Sequence, residues 1–315
     1  MDNSSKIYVA GHTGLVGSAI AKSLETRRFT DLIFKKSSEL NLEIQSDVEA
    51  FFKKEKPEYV FLAAAKVGGI QANNTLRADF IYKNLQIQNN VIHYSWKYGA
   101  KKLLFLASNC IYPRESRQPM KEEYLLTGPL EATNEPFAVA KIAGIKMCES
   151  YNRQHGTNFI SAVPANIYGP NDNFDLNNSH LIPAVISKFH NAKTRNDKFV
   201  TLWGTGKPRR EGMFSEDAAE AFIFLMENYN SNEIINVGNG QDMDIKQIAK
   251  KIASVVGFKG DIEFDHSKPD GMERKLLDTS KLKKLGWEPK TAFDEGIKKT
   301  YQWFLKNENK FKAAH

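Results

Sequence analysis

Short aliphatic or β-branched runs recur along the first half of the chain, with longer helical stretches between them. They are "KIYVAG" from residue 6, "LIFKK" from 32, "YVFLAAA" from 59, "KLLFLAS" from 102 and "FISAVPA" from 159. A strand that is apolar along its whole length is covered on both faces, and strands that alternate with helices build parallel sheets. The pattern therefore predicts an α/β fold, a Rossmann-type doubly wound parallel sheet over residues 1–165. Residues 166–315 are expected to form mainly a smaller, interleaved α/β substrate domain, with segments returning to the first. No internal repeat or low-complexity tract interrupts the alternation.

Between the first strand and its helix lies "GHTGLVG", in which Gly11, Gly14 and Gly17 are spaced three apart around Thr13, Leu15 and Val16. Glycines here permit a tight turn and close backbone approach, and the helix N-terminus that follows attracts a pyrophosphate. The second strand is expected to end in Lys35 and Lys36. A cofactor with a bare ribose 2′-hydroxyl favours an acidic residue there, whereas basic side chains suit a 2′-phosphate. The expected cofactor is NADP(H) rather than NAD; the bland alternative is a pair of solvated surface lysines.

Composition narrows the classes. At 315 residues, 41% hydrophobic and 26% charged, the chain is ordinary globular protein, long enough for a filled core. No apolar run approaches the roughly 18 residues of a membrane span, and "MDNSSKIYVAG" passes from a polar start straight into a strand pattern. The expectation is a cytoplasmic protein with no membrane partner. Cys110 and Cys148 are too few for a disulfide framework, a thiolate zinc site or an iron–sulfur cluster, so no metal is expected. The formal charge of +7 admits a nucleic-acid surface, but Lys and Arg are scattered beyond short pairs such as Arg209-Arg210. An anionic small molecule needs only a few of them, so no nucleic acid is expected.

In "NEPFAVAKIAGIK" Phe137 and Lys141 stand four apart and so share a helical face. A lysine beneath an aromatic ring on an apolar stripe either snorkels to solvent or does chemistry. That segment belongs to a set: "LASNCIYP" (106–113), "NEPFAVAKIAGIKMCESYNRQHG" (134–156), "PANIYGP" (164–170) and "KPDGMERKLLD" (268–278). With these motifs in order, the whole chain resembles the GDP-L-fucose synthases and related GDP-4-keto-sugar and heptose C4 reductases of the extended short-chain dehydrogenase/reductase family.

The resemblance implies NADPH-dependent reduction of a 4-keto GDP-sugar, with epimerisation at C3 and C5 in bifunctional members. It implies a Ser, a Tyr and a Lys acting together; Ser108 matches the serine, Lys141 the lysine, and Phe137 stands in the tyrosine slot. Phenyl cannot donate a proton, so the residue reads either as a natural variant or as a substitution introduced to trap a ligand. Cys110 and His180 match the epimerising pair, and Asn166 the position beside the nicotinamide. By the same resemblance Lys188 and Arg210 approach the pyrophosphate or sugar. Trp203 and Gly204 belong to the "LWGTGKPRRE" loop, and "KPDGMERK", which carries the substrate-binding candidate Asp270, closes over the nucleotide with Arg274 or Lys275.

Two departures, "REGMFSEDAAEA" (210–221) and Thr13 in a slot that is often arginine, leave the sugar open between a hexose and a longer 4-keto heptose. A heptose substrate would suit a reductase whose epimerisation is done elsewhere. The rivals are a catalytically silent NADP-binding protein and an NAD-dependent epimerase that returns the hydride. A homodimer is implied through two long helices per subunit, with "NNVIHYSWKYG" and "AKIAGIKMCESYN" as candidates, whereas Cys148 reads as buried packing.

Overall fold

The computed structural model describes residues 1–176, 178–268 and 270–312. Its first half runs β1 (Ile7–Ala10), α1 (Leu15–Thr26), β2 (Leu32–Ile33), α2 (Gln45–Glu55), β3 (Tyr59–Leu62), α3 (Ile70–Thr75), α4 (Arg77–Lys97), β4 (Lys102–Leu106), α5 (Glu135–His155) and β5 (Phe159–Pro164). The second half runs β6 (Asn166–Tyr168), α6 (Leu181–Arg195), β7 (Phe199–Trp203), β8 (Arg209–Arg210), β9 (Gly212–Phe214), α7 (Ser215–Asn228), β10 (Ile235–Val237), β11 (Met243–Asp244) and α8 (Ile245–Val256). It ends with β12 (Asp261–Asp265), β13 (Arg274–Lys275), α9 (Ser280–Lys284), α10 (Phe293–Asn307) and α11 (Asn309–Lys312).

Six strands form one sheet in the order β10-β5-β4-β3-β1-β2, and every pairing in it is parallel. All residues of β1 and β4 are buried, because helices cover both faces: α1 packs on α7, and α4 on α2 and α5. The strand order reverses between β1 and β3, which opens a crevice at the carboxyl ends of those strands. This is the expected doubly wound sheet. One boundary differs: β2 ends at Ile33, so Lys35 and Lys36 lie beyond the strand. The edge position offers β2 a single neighbour, and the Lys36 N–H turns instead to Glu39 Oε2 at 2.9 Å.

The chain leaves this sheet at β6 and returns to it with α7 and β10. A second hydrophobic cluster collects Tyr168, Phe174, Ile186, Phe189, Leu202, Ile252, Ile297 and Phe304 from α6, α8, α10 and the strands beside them. Helix α8 shows how local sequence builds it. Asp244 and Gln247 form a capping box, Ile248, Ala249, Ile252, Ala253 and Val256 bury one stripe, and Gly257 at φ +77° ends the helix. Three small sheets line this half: β7 with β12, β6 with β9, and β8 between β11 and β13. Among the described residues no helix is long and apolar enough to cross a membrane.

Candidate active site

The glycine loop can be tested for fit to a dinucleotide. At φ +87°, Gly11 lies so close to β3's continuation that a Cβ would be 2.8 Å from the Ala64 backbone; at Gly17 one would meet the Gly11 carbonyl oxygen at 2.1 Å. The chain thus turns tightly (Gly14 N–H to Gly11 O, 3.0 Å) and presses α1 against β1. The first turn of α1 has neither a side-chain cap nor an acidic residue, which leaves its N–H groups to an anion. His12 stacks on Phe34 at 5.2 Å with a buried, unpartnered Nδ1. Lys36 and Glu39 bias its pKa in opposite directions, while burial, the larger influence, lowers it. Thr13, Leu15 and Val16 complete this loop; Lys36 and Glu39 lie near enough to His12 to act on its charge, and Lys35 acts on Glu39.

Lys141 is buried at 4% exposure. Its Nζ donates to the Leu106 carbonyl at the end of β4 (2.8 Å) and lies 4.9 Å from the Phe105 ring centroid and 5.7 Å from that of Phe137. The ammonium does not snorkel to water. Burial pushes its pKa down to about 8, opposed by the Cys110 thiol. The Phe137 ring stands edge-on to Phe80 at 6.2 Å. Gly144, one turn further along α5, lets the helix approach β4, since a Cβ there would lie 2.3 Å from the Phe105 ring.

Ser108 begins a short turn at Asn109–Ile111 and accepts the Cys110 N–H at 3.5 Å. Cys110 is 6% exposed; burial raises its pKa, while the Ser108 hydroxyl, Lys275 and Lys141 work against that rise. Next to it, the Asn109 side chain donates to Asn166 Oδ1 at 3.3 Å, tying β4's end to the exposed Asn166. Sequence reading passed over Asn109, whose only signal was its place between Ser108 and Cys110.

His180 occupies the N-cap position of α6 without making a capping bond. The residue is exposed, yet surrounding protein desolvates its imidazole enough to lower its pKa, with Lys275 adding to the shift. An exposed but desolvated group lines a cleft. Burial lowers the Lys275 pKa, opposed by Cys110 and reinforced by Arg210, and Lys275 in turn acts on His180, so Cys110, His180, Lys275 and Arg210 share one neighbourhood.

Of the two cations expected over the nucleotide, Arg274 or Lys275, Arg274 is bound to Asp242. Strands β8 and β13 pair in register, Arg209 with Arg274 and Arg210 with Lys275, and side chains alternate between faces. Arg209 and Arg274 both bond Asp242, whose side chain is only 4% exposed. Burial alone would raise the Asp242 carboxyl, but the bonds to Arg274 and Arg209 hold it below the usual range. Arg274 is therefore engaged in an internal ion pair, and Arg210 and Lys275 occupy the other face. Arg210 Nη1 donates to the Arg209 carbonyl at 2.8 Å, and burial lowers its pKa against the pull of Asp270.

Trp203 is the last residue of β7 rather than part of a loop, and it is 63% exposed. Lys188 Nζ and Lys268 Nζ lie 5.9 and 5.7 Å from its ring centroid. Gly204 follows at φ +80°, where a Cβ would be 2.2 Å from Asp270 Oδ1; that carboxylate accepts the Thr205 N–H (2.9 Å) and hydroxyl (2.6 Å). A cavity of about 220 Å³ between α6 and β7 is lined by Lys188, Asn191, Arg195, Phe199 and Thr201. It lies apart from the Ser108 and Lys141 corner. Among the described residues no cluster of three or more His, Cys, Asp or Glu could hold a metal ion.

A doubly wound sheet with a glycine-lined nucleotide crevice, and a buried lysine beside a serine at the end of its fourth strand, defines a nucleotide-dependent enzyme of the short-chain dehydrogenase type. The profile of the NAD dependent epimerase/dehydratase family matches residues 7–238, and the chain belongs to that family. It is 54% identical over 306 residues to GDP-L-fucose synthase 1 of Arabidopsis thaliana, covering 97% of this chain and 95% of the relative. Among solved structures, the GDP-6-OMe-4-keto-L-xylo-heptose reductase from C. jejuni superposes with a TM-score of 0.92 at 43% identity, over 98% of this chain and 99% of that one. The GDP-mannoheptose C4 reductase MlghC of Campylobacter jejuni, with NADP bound, gives 0.90 at 45% identity over 97% and 99%.

Proposed function

We propose that the protein binds NADPH and a GDP-4-keto-deoxy sugar in the crevice between its two halves and reduces the C4 keto group. The observation that carries this is Lys141, a buried cation aimed at the end of β4 beside Ser108, in a chain whose relatives act on GDP-sugars. NADPH, when bound, supplies hydride to C4. Gly11, Gly14 and Gly17 would hold its pyrophosphate, Lys35 or Lys36 its 2′-phosphate, and Asn166, held by Asn109, its nicotinamide end.

Lys141 holds the nicotinamide ribose and adds positive charge where oxygen charge develops, and Ser108 hydrogen-bonds the C4 oxygen. Residue 137 is the position from which a proton reaches that oxygen, and phenylalanine has none to give. Cys110 and His180 flank C3 and C5 as acid and base for epimerisation. Arg210 and Lys275 bind the diphosphate, with Trp203 and Lys188 at the outer end of the GDP site. Residues 1–165 are thus the cofactor domain, and residues 166–315 mainly the GDP-sugar domain. The protein works in the cytoplasm as a homodimer joined through α4 and α5, whose outer faces carry Tyr82 and Val139 at 59% and 40% exposure.

Phe137 is also what favours the second reading, a catalytically silent NADP- and GDP-sugar-binding protein. The deciding experiment is Phe137→Tyr, assayed by NADPH consumption with GDP-4-keto-6-deoxymannose and with a GDP-4-keto-6-deoxyheptose. General acid catalysis contributes about 10²- to 10⁴-fold, so kcat should rise by about 10²-fold or more on at least one substrate, with affinities nearly unchanged. If neither sugar is turned over faster, residue 137 is not the missing acid and the silent binder takes the reading's place.

A further inference from the structure

Strand β13 contains two residues, and a strand so short does not hold a side chain in place by its own ladder. Arg210 and Lys275 nevertheless stand side by side on it and its neighbour, two cations whose mutual repulsion favours splaying apart. Something on the opposite face must set the register. That face carries Glu211, which is 2% exposed.

The Glu211 carboxylate accepts the Gly240 N–H at Oε1 (2.7 Å) and the Leu277 N–H at Oε2 (3.0 Å), and its own N–H donates to the Lys275 carbonyl at 3.3 Å. The neighbouring Asn239 side chain donates to the Gly212 carbonyl at 2.7 Å. Gly238 leaves the space the carboxylate fills, since a Cβ there would lie 2.3 Å from Oε1. One buried acid thereby joins β8, the 238–240 loop and the chain two residues past Lys275. Burial pushes its pKa up to about 7, against the backbone N–H groups that favour the anion. A carboxylate kept in such a place at that cost is more than filler.

We infer that Glu211 is a positioning residue for substrate. From behind β8 and β13 it holds Arg210 and Lys275 at the separation that a diphosphate bridges. The inference rests on the reading above for the role of those two cations. Glu211 touches no ligand itself.

In Glu211→Gln the amide oxygen still accepts one N–H, but the amide nitrogen is set against the other donor, so the clamp opens on one side with little change of volume. Calorimetric titration of the full chain with GDP should show Kd raised about tenfold, and titration with NADPH should show Kd within twofold. In a Lys275→Met background the same change should raise the Kd for GDP less than threefold, because the group being positioned has gone. Full additivity of the two substitutions, or equal loss of NADPH and GDP affinity, overturns the inference. Glu211→Asp, which keeps the charge but withdraws it by one methylene, is the second variant; if neither variant folds, Glu211 belongs to the fold alone and the inference falls. If GDP does not bind the unaltered protein, it is the reading of Arg210 and Lys275 that fails, an outcome distinct from GDP binding that Glu211→Gln leaves unchanged.

Discussion

The two corners of the crevice are built in opposite ways. At the β4 and α5 corner, Ser108 and Cys110 are neighbours in sequence, and Lys141 is set by a long helix packed on a fully buried strand. At the β8 and β13 corner, Arg210 and Lys275 come from strands of two residues each, 65 positions apart, and buried acids behind the strands hold them. The first corner is stiff because the core is stiff; the second is stiff only while Asp242 and Glu211 are satisfied. On the roles proposed above, a corner that grips a reacting oxygen gains from the first kind of support. One that must admit and release a nucleotide can use the second.

The sharpest test of this contrast uses adjacent residues on β13. Lys275→Met should weaken GDP binding by about 10- to 100-fold, the range of one charge-assisted phosphate contact, with little change in melting temperature. Arg274→Met should do the reverse. It takes one of two cations from buried Asp242, so it should lower stability by about 1 to 2 kcal/mol, less than full unpairing because Arg209 remains. Its Kd for GDP should stay within threefold. Equal effects on GDP binding would erase the distinction between the two faces of the strand.

The cofactor side allows a smaller test. Lys35 and Lys36 lie beyond β2, where Lys36 acts on His12 of the glycine loop and both lysines act on Glu39. Lys35→Ala and Lys36→Ala, made together, should raise the Kd for NADPH by about tenfold and leave that for NADH unchanged, since only NADPH carries the 2′-phosphate. Parallel fluorescence titrations with both nucleotides check this. A double variant that binds NADPH as tightly as the unaltered protein reduces the two lysines to solvated surface.

What sequence could reveal follows the same divide. The parallel sheet was legible because β1, β3, β4 and β5 are continuous apolar runs; Ser108, Cys110 and Lys141 were singled out by resemblance, in contiguous motifs, and the fold sets them near one another. Strand β2 was overextended because Lys35 and Lys36 follow an apolar run, and sequence does not show that an edge strand lacks a second partner. Arg274 or Lys275 was left open for the nucleotide because sequence showed cations but not which face each takes; that depends on pairing with β8, far away in the chain. Glu211 and Asp242 were missed for a related reason. Nothing local distinguishes a buried acid from a surface one until the loop at 238–240 is folded over it.

Asp172 offers the smallest and most independent test, because it too is a buried acid but its support is poorer. It is 6% exposed in the turn after β6 that leans on α1 through the Asn171 side chain and Ser18 Oγ (3.0 Å). Oδ1 accepts the Asn173 N–H at 2.8 Å, but Oδ2 is buried without a partner. Burial pushes its pKa from 3.8 up to about 7. Between pH 4 and 7 the unfolded chain has therefore lost a proton that the folded chain keeps, so the stability from this group is full below pH 4, falls as pH rises through that window and is gone above it. Glu211, also raised to about 7, acts in the same direction. Asp172→Asn keeps the shape and removes the charge. It should raise stability at pH 8 by about 1 kcal/mol or more and reduce, without abolishing, the decline between pH 4 and 7, as read by urea denaturation across that range. A variant less stable than the parent at pH 8 would mean that the charged form is held by the fold after all, and that this turn is braced as well as the β8 and β13 corner.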